Sequence, residues 1–286
     1  MNKNACNGDS RRWRKMRQPR KTEILLRNRE PFCVAACNKF IRREPSTDKV
    51  WTLEDRAGGI SAALIYSKKN ILPVFCGQKE IPEPRFFRGI FGVLPVNSIQ
   101  GLKDETIIVE NALEKNGLQA AEKIDYDLMR IDRPPDANGF SAGPADLILR
   151  EPRFADMEAL VSLQAGYERE EVLPSGAVFN PAASRLSTAR IFASEQLMVA
   201  ELGGRLIGKI NTSAVSFTRF QIGGVYVHPG FRGRGIARRM TTEFVRSLIA
   251  QGKGVSLFVK KSNPAARSVY RHLGFDFLAD YRISYY

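Results

Sequence analysis

Hydrophobic positions recur along this chain with two periods, one typical of helices and one typical of strands. In the first half, the predicted elements are a helix near 31–44, strands over 60–66, 71–75 and 86–93, a helix over 98–116, and a strand over 121–131. This half is therefore predicted to be mixed α and β.

A segment rich in proline and glycine separates this half from the rest of the chain. Residues 133–144 contain three prolines and two glycines and show no hydrophobic period, which is typical of a linker. The predicted elements that follow are strands over 145–150, 197–202, 206–216, 220–228, 255–260 and 275–286, and helices over 153–170, 181–194, 234–251 and 264–273.

A glycine-rich turn between two of these elements carries the pattern of an anion site. Gly233 and Gly235 lack a Cβ, so a ligand can approach the main chain closely there. The helix that follows begins with N–H groups that have no partner inside the helix and carries the positive end of the helix dipole. Together with the guanidinium groups of Arg232 and Arg234, the turn is suited to a polyphosphate. The alternative is an ordinary tight turn with solvated arginines.

The composition of the chain excludes several classes of protein. The chain has 286 residues, of which 43% are hydrophobic, and this excludes a disordered or fibrous protein. No apolar run approaches the ~20 residues that cross a bilayer, so no membrane span is expected. Four cysteines are too few for a disulfide framework, and Cys33 and Cys37 are interpreted as buried structural thiols with no metal site expected.

The net charge of +14 is concentrated in two segments. Residues 1–30 hold ten basic and three acidic residues, giving +7, and residues 232–261 hold eight basic residues and one acidic residue, giving +7 again. The first segment is interpreted as a basic arm. It is either solvated, or it contacts RNA or acidic lipid with Trp13 available to stack or insert. The apolar run after it is too short for a signal peptide, so a cytoplasmic protein is expected.

Two linked motifs in the second half resemble the GCN5-related N-acetyltransferase (GNAT) superfamily. The run Arg232-Gly233-Arg234-Gly235-Ile236-Ala237 matches the family signature Arg/Gln-x-x-Gly-x-Gly/Ala. It follows Val-x-Val-His-Pro and precedes Asn263-Pro264-Ala265-Ala266, after which Tyr270 and Gly274-Phe275 fall at the family spacing. The resemblance covers roughly residues 145–286.

The resemblance implies a fold and a division into domains. The fold class is α+β, with a mixed, mostly antiparallel sheet and flanking helices, preceded by a second, smaller α/β domain. The expected segments are a basic arm over 1–30, an N-terminal α/β domain over 31–132, a linker over 133–144 and a GNAT acetyltransferase domain over 145–286. The rough order of elements in the first half suggests a degenerate copy of the same fold.

The resemblance also implies acetyl-CoA, or another short acyl-CoA, as the donor. The diphosphate is then expected on the N–H groups of Arg232, Gly233, Arg234, Gly235, Ile236 and Ala237. The pantetheine arm is expected beside Val225, Tyr226 and Val227, in a gap where their strand splays from the strand over 255–260. An N–H of the same strand is expected to bind the thioester carbonyl, and Asn263 to contact the cofactor.

The same comparison implies roles for acidic and phenolic side chains. Tyr270 corresponds to the family's general acid, which would protonate the departing thiolate. It is also interpretable as a core aromatic, just as Asn263 is interpretable as a helix cap. Glu171 is the tentative base and Glu168 a tentative contact for a cationic amine, with a solvated helix end as the alternative for both.

The resemblance thus implies an N-acetyltransferase that passes an acetyl group to a primary amine by direct attack. The acceptor is expected to be a small molecule or a peptide, and its identity and the oligomeric state stay open. The alternative is a non-catalytic acyl-CoA-binding or RNA-associated module that uses the basic arm.

Overall fold

The structure is a computed structural model that describes residues 13–54, 58–77, 94–135 and 143–286. Strands and helices both occur throughout these residues. Up to residue 131 the elements are β1 Arg14–Lys15, α1 Pro19–Arg29, α2 Val34–Ile41, β2 Lys49–Glu54, β3 Ile60–Ser67, β4 Asn70–Phe75, β5 Ser98–Leu102, α3 Lys103–Glu114 and β6 Glu122–Ile131. Beyond it they are β7 Ile148–Arg150, α4 Met157–Tyr167, α5 Pro181–Ser194, β8 Leu197–Leu202, β9 Arg205–Val215, β10 Arg219–Val227, α6 Ile236–Ile249, β11 Gly254–Lys260, α7 Pro264–His272 and β12 Asp276–Tyr285.

The chain divides into two compact units. Unit 1 comprises Met1–Arg29, Lys39–Lys123 and Arg282–Tyr286, and unit 2 comprises Glu30–Asn38 and Ile124–Tyr281. This division differs from the predicted boundary at residue 132, because most of β6 belongs to unit 2. From Tyr126 to Ile131, β6 pairs antiparallel with β11, so its hydrogen bonds tie it to the second unit.

Unit 1 is built on strands in the order β1-β2-β3-β4-β5. The first four run antiparallel in turn, and β5 pairs in parallel with β4. Its core includes Trp13, Leu64, Ile71 and Val109, so the sheet packs against α3. The strand predicted over 86–93 lies outside the described residues.

Two predictions about unit 1 are wrong. The helix predicted over 98–116 begins only at Lys103, since Ser98 and Ile99 pair with β4 and form β5. The basic arm is not simply solvated over its described part: residues 19–29 form α1, and Trp13 is buried, with an exposed fraction of 7%. Its ring lies edge-on to Phe75, 6.0 Å between centroids, so it is not available to stack on a ligand. The sequence reading also missed β2.

Unit 2 carries a mixed sheet with helices on both faces. Its strands lie in the order β12-β6-β11-β10-β9-β8-β7. Strands β7 to β10 run antiparallel in turn, and β10 and β11 run parallel. Val199 packs with Leu160 of α4, whereas its neighbour Ala200 belongs to the cluster around α6. Because successive strand residues point to opposite faces, α4 and α6 cover opposite faces of this sheet.

The helix predicted over 234–251 has apolar residues at four-residue spacing, which predicts one buried face, and α6 has this face. Ile236, Met240, Phe244 and Leu248 are all buried against the sheet. This packing fixes the axis of the helix and therefore the direction of its first N–H groups. None of the helices in the described part of the chain is long and apolar enough to cross a bilayer.

Replacing the buried indole tests whether the start of the described chain is part of the fold. Trp13→Ala is expected to lower the free energy of unfolding by about 3 kcal/mol, because it removes a large buried aromatic side chain. Urea titration followed by far-UV circular dichroism and by the fluorescence of Trp51 measures the change. The exposed neighbour provides the control, since Arg14→Ala is expected to change stability by less than about 0.5 kcal/mol. Equal midpoints for both variants would contradict the burial of Trp13.

Candidate functional site

Strand β10 separates from β11 partway along its length. The two strands pair in parallel only over Arg219–Gln221 and Gly254–Ser256 within the described residues. Beyond that point β11 continues along β6, and β10 continues along β9. The structure places Val225, Tyr226 and Val227 on the separated part of β10, where the resemblance predicts a gap.

A bulge interrupts β10 just before these residues. Gly223 pairs with Asn211 and Tyr226 pairs with Lys209, so two residues of β10 stand opposite one residue of β9. Gly224 has φ +60°, a left-handed conformation that favours glycine. A Cβ at Gly224 would also lie 2.6 Å from Nζ of Lys209. The bulge therefore requires glycine for two independent reasons.

The predicted anion-binding turn follows β10 directly. A short 3₁₀ turn, Pro229–Phe231, leads into Gly233 and Gly235, both with φ +76°, and Gly235 caps α6. A Cβ added to Gly233 would meet no atom within 4 Å, so the space beside this residue is open. Nε of Arg232 donates to the carbonyl of Val227 at 2.9 Å, which fixes its side chain at the base of the turn.

A cavity of about 290 Å³ connects the separated strand with α6 and α7. Its walls include the predicted residues Glu171, Val225, Tyr226, Val227, Arg232, Ala237, Asn263 and Tyr270, together with Glu170, Thr241, Ala265, Ala266 and Val269. Gly233, Arg234, Gly235 and Ile236 form the adjoining turn and helix start but do not line this cavity, and neither does Glu168. The structure thus brings together most of the site residues predicted from sequence.

Several basic residues of the segment 232–261 contact other residues of unit 2. The guanidinium of Arg234 lies 5.5 Å from the ring centroid of Phe231. Arg239 donates to the carbonyl of Pro144 at 3.1 Å, and Lys253 donates to that of Ser216 at 2.9 Å. Lys261 pairs with Asp127 at 2.5 Å. The +7 charge of this segment is therefore partly used to hold unit 2 together.

Tyr270 projects from α7 into the cavity wall. It is 8% exposed, and its ring lies 5.8 Å from that of Phe275. Burial raises the pKa of the Tyr270 hydroxyl, and the nearby Tyr167 and Glu171 raise it further. The hydroxyl consequently stays protonated at neutral pH, as a proton donor must.

Asn263 caps α7 and also contacts the cavity's acidic wall. Its Oδ1 accepts the N–H of Ala266 at 3.0 Å, and its Nδ2 donates to Glu171 at 3.2 Å. Asn263 can therefore cap α7 and contact Glu171 at the same time, because the cap uses Oδ1 and the contact uses Nδ2.

A π-helical segment, Glu168–Val172, follows α4 and supplies the carboxylates. Glu170 accepts from the hydroxyl of Tyr226 at 3.1 Å and from Arg232 at 2.7 Å. Glu171 pairs with Lys260 at 3.5 Å. The contact of Glu170 with Arg232 could not be read from the spacing of residues in the sequence.

Glu168 faces another way. Its Oε1 accepts from Gln164 at 2.8 Å, within the same helical run, and its charge acts on Lys209. Glu168, the predicted contact for the acceptor amine, therefore does not line the cavity.

Lys209 is a buried amine that sequence reasoning missed. It is 2% exposed, and its Nζ donates to Oδ1 of Asn211 at 2.8 Å and to the carbonyl of Gly224 at 3.0 Å. The same Nζ lies 5.0 Å from the ring centroid of Tyr167. Burial lowers the pKa of Lys209 to about 7, and Glu168 opposes this shift. No sequence pattern marks the residue, because its partners meet only through the bulge.

None of the residues that line this cavity is a cysteine or a histidine. Sγ atoms of Cys33 and Cys37 are buried and 3.7 Å apart, and His228 accepts the N–H of Gly230 at 3.3 Å within the turn. Among the described residues no group of three or more His, Cys, Asp or Glu side chains could hold a metal ion.

Comparison with known proteins finds similarity in the part of the chain that contains this cavity. A sequence model of the acetyltransferase (GNAT) family matches residues 162–275. N-alpha-acetyltransferase RimI of Mycobacterium tuberculosis is 35% identical over 79 residues, which are 27% of this chain and 49% of that protein. The chain thus spans about half the length of the curated relatives it matches.

Solved structures show the same fold over nearly the whole chain. A Drosophila protein superposes with a TM-score of 0.67 at 11% identity, covering 96% of this chain and 99% of that one. A GCN5-related N-acetyltransferase from Sphaerobacter thermophilus gives a TM-score of 0.61 at 16% identity, covering 96% and 95%. At such identities the likeness establishes the fold alone.

The burial of Lys209 has a measurable consequence for stability. Its pKa falls from 10.5 when unfolded to about 7 when folded, so between these values the unfolded chain binds more protons. The free energy of unfolding of the wild type is therefore expected to rise, relative to that of Lys209→Met, by up to about 1.4 kcal/mol per pH unit in this window. Urea titrations at pH 6, 7.5 and 9 measure the difference. A difference independent of pH would refute the lowered pKa.

Proposed function

We propose that this chain, of which residues 162–275 match a sequence model of the acetyltransferase (GNAT) family, transfers an acetyl group from acetyl-CoA to a primary amine by direct attack. One observation supports this above all. The separated part of β10, the glycine turn at the start of α6, the phenol of Tyr270 and the carboxylate of Glu171 all border one cavity or its rim.

The donor is proposed to occupy the gap left by β11. Its diphosphate would accept the N–H groups of residues 232–237, where the positive end of the dipole of α6 favours anions. The pantetheine arm would lie along Val225 and Val227 as an added strand, since this edge of β10 has no strand partner in the described structure. The thioester would then lie near Tyr270.

The proposed reaction needs one base and one acid. A primary amine attacks only when neutral, so its proton must leave, and Glu171 on the cavity wall is proposed to accept it through water. A bond forms between the amine nitrogen and the acyl carbon, and the bond to sulfur breaks. The departing thiolate takes the proton of Tyr270, whose raised pKa keeps the phenol protonated at neutral pH until that step.

The acceptor is proposed to be a small-molecule or peptide amine, with Glu170 in the contact role first assigned to Glu168. Glu170 lies on the cavity wall beside Tyr226, and it is held there by Arg232.

The first half of the chain is proposed to be a degenerate copy of the same fold. A cytoplasmic location is also proposed for the protein.

A pair of glycine variants tests the diphosphate site. Gly233 and Gly204 have nearly equal φ angles, +76° and +74°, and open space around an added Cβ, so alanine strains both turns alike. Gly233→Ala is expected to weaken acetyl-CoA binding at least about 10-fold, because the methyl group stands where the phosphates approach. Gly204→Ala, in the β8–β9 hairpin, is expected to leave the affinity unchanged. Isothermal titration calorimetry measures both, and equal affinities would exclude this turn as the diphosphate site.

A second pair of variants tests the general acid. Tyr270→Phe is expected to lower kcat by about 100-fold while acetyl-CoA still binds, because only the proton donor is lost. Free CoA released in the presence of a panel of amines provides the measurement. Tyr281 is also buried and stacks on Phe258 outside the cavity, so Tyr281→Phe is the matched control.

The outcomes separate the enzyme from a module that only binds acyl-CoA. If the wild type binds acetyl-CoA and releases no CoA with any amine, the catalytic proposal fails and the binding module remains. If Tyr270→Phe retains full kcat, Tyr270 is not the acid.

A further inference from the structure

Lys209 holds the main chain of β10 at the bulge. Its Nζ donates to the carbonyl of Gly224 at 3.0 Å and has a second acceptor in Asn211 at 2.8 Å. Lys209 itself lies on β9, the strand that pairs with β10 on the side away from β11. The carbonyl of Gly224 therefore points toward the Lys209 amine.

The geometry of the peptide bond carries this orientation across the strand. The bond between Gly224 and Val225 is trans, as are all the others in the described chain. In a trans peptide the C=O and N–H bonds point in opposite directions. The N–H of Val225 consequently points away from the Lys209 amine, and Val225 lines the cavity beside the separated part of β10.

We propose that Lys209 is a positioning residue for acyl transfer: by holding the carbonyl of Gly224, it turns the N–H of Val225 into the cavity, where that N–H binds the carbonyl oxygen of the thioester. This inference rests on the proposed function, because it assigns a donor to the oxyanion of that reaction. Removal of one such donor typically lowers kcat by about 100-fold or more.

The hydrogen bond from Lys209 also strengthens this N–H as a donor. An amide whose carbonyl accepts a hydrogen bond is more polarised, and its N–H then donates more strongly. A charged donor has the larger effect. The groups that face the Lys209 amine are Tyr167 at the end of α4, Glu168 in the π-helical segment, Asn211 on its own strand and Tyr226, its register partner on β10.

An apolar side chain of similar size would fill the same space but leave the peptide unheld. Gly224 has no Cβ, so its φ and ψ are little restricted and the peptide can rotate once this hydrogen bond is lost. Lys209→Met therefore removes the donor and keeps most of the volume. Lys253 is a matched control, since it also donates to a main-chain carbonyl of unit 2, that of Ser216, and does not line the cavity.

Infrared difference spectroscopy reads the proposed contact directly. Acetyl-CoA labelled with ¹³C at the thioester carbonyl is bound to the full chain, and the carbonyl stretch is compared with that of free acetyl-CoA. The wild type and Lys253→Met are expected to lower the frequency, and Lys209→Met to leave it near the free value. In CoA-release assays with the best amine of the panel, Lys209→Met is expected to lower kcat by about 10- to 100-fold and to change KM for acetyl-CoA less than about 3-fold.

A titration of the wild type keeps the test independent of how the variant folds. As pH rises from 6 to 8.5 the buried amine loses its charge, so the frequency shift of the bound thioester is expected to shrink. Lys209→Gln, which keeps an N–H donor on a shorter chain, is expected to restore part of the shift at every pH.

The results distinguish a failure of the proposed function from a failure of the role proposed for Lys209. If the wild type does not bind acetyl-CoA, the proposed function fails first. If the wild type binds it, but Lys209→Met matches the wild type in carbonyl frequency and in kcat, or the wild-type frequency does not vary with pH, the role of Lys209 is overturned and the proposed function stands.

Discussion

The separation of β10 from β11 is the constraint on which the whole site depends. Parallel strands normally continue their ladder of hydrogen bonds, and here the ladder ends after Gln221 because β11 follows β6 instead. One edge of β10 is therefore unpaired within the sheet, and the amide groups of a ligand can form hydrogen bonds to it. The bulge at Gly224 and the turn after His228 both stand along this edge.

Much of this arrangement followed from the sequence. The four-residue spacing of Ile236, Met240 and Phe244 predicted one buried face of α6, and burial against the sheet then directs the helix start at the turn. The two linked motifs placed Tyr270 and Asn263 near that turn, and both border the cavity. Such features depend on local periodicity and on spacing, which a single sequence displays.

Other features depend on pairing between distant residues and were missed. The five residues of β5 read as helix because their pattern merges with that of α3, and only the ladder with β4 makes them a strand. Trp13 read as part of a charged arm because its partner Phe75 is far away in sequence. Lys209 was not singled out, since neither the bulge nor the end of α4 beside its amine is visible in the local sequence.

The winding of Glu168–Val172 carries an evolutionary consequence. A π-helical turn holds one more residue than an α-helical one, so it is reached from a regular helix by a single-residue insertion. Loss of one residue there would return the segment to an α-helical turn with one side chain fewer before Leu173. A deleted glutamate would take its contact with it, that of Glu170 with Arg232 or that of Glu171 with Lys260. The acidic wall therefore depends on the number of residues in this segment as well as on their identity.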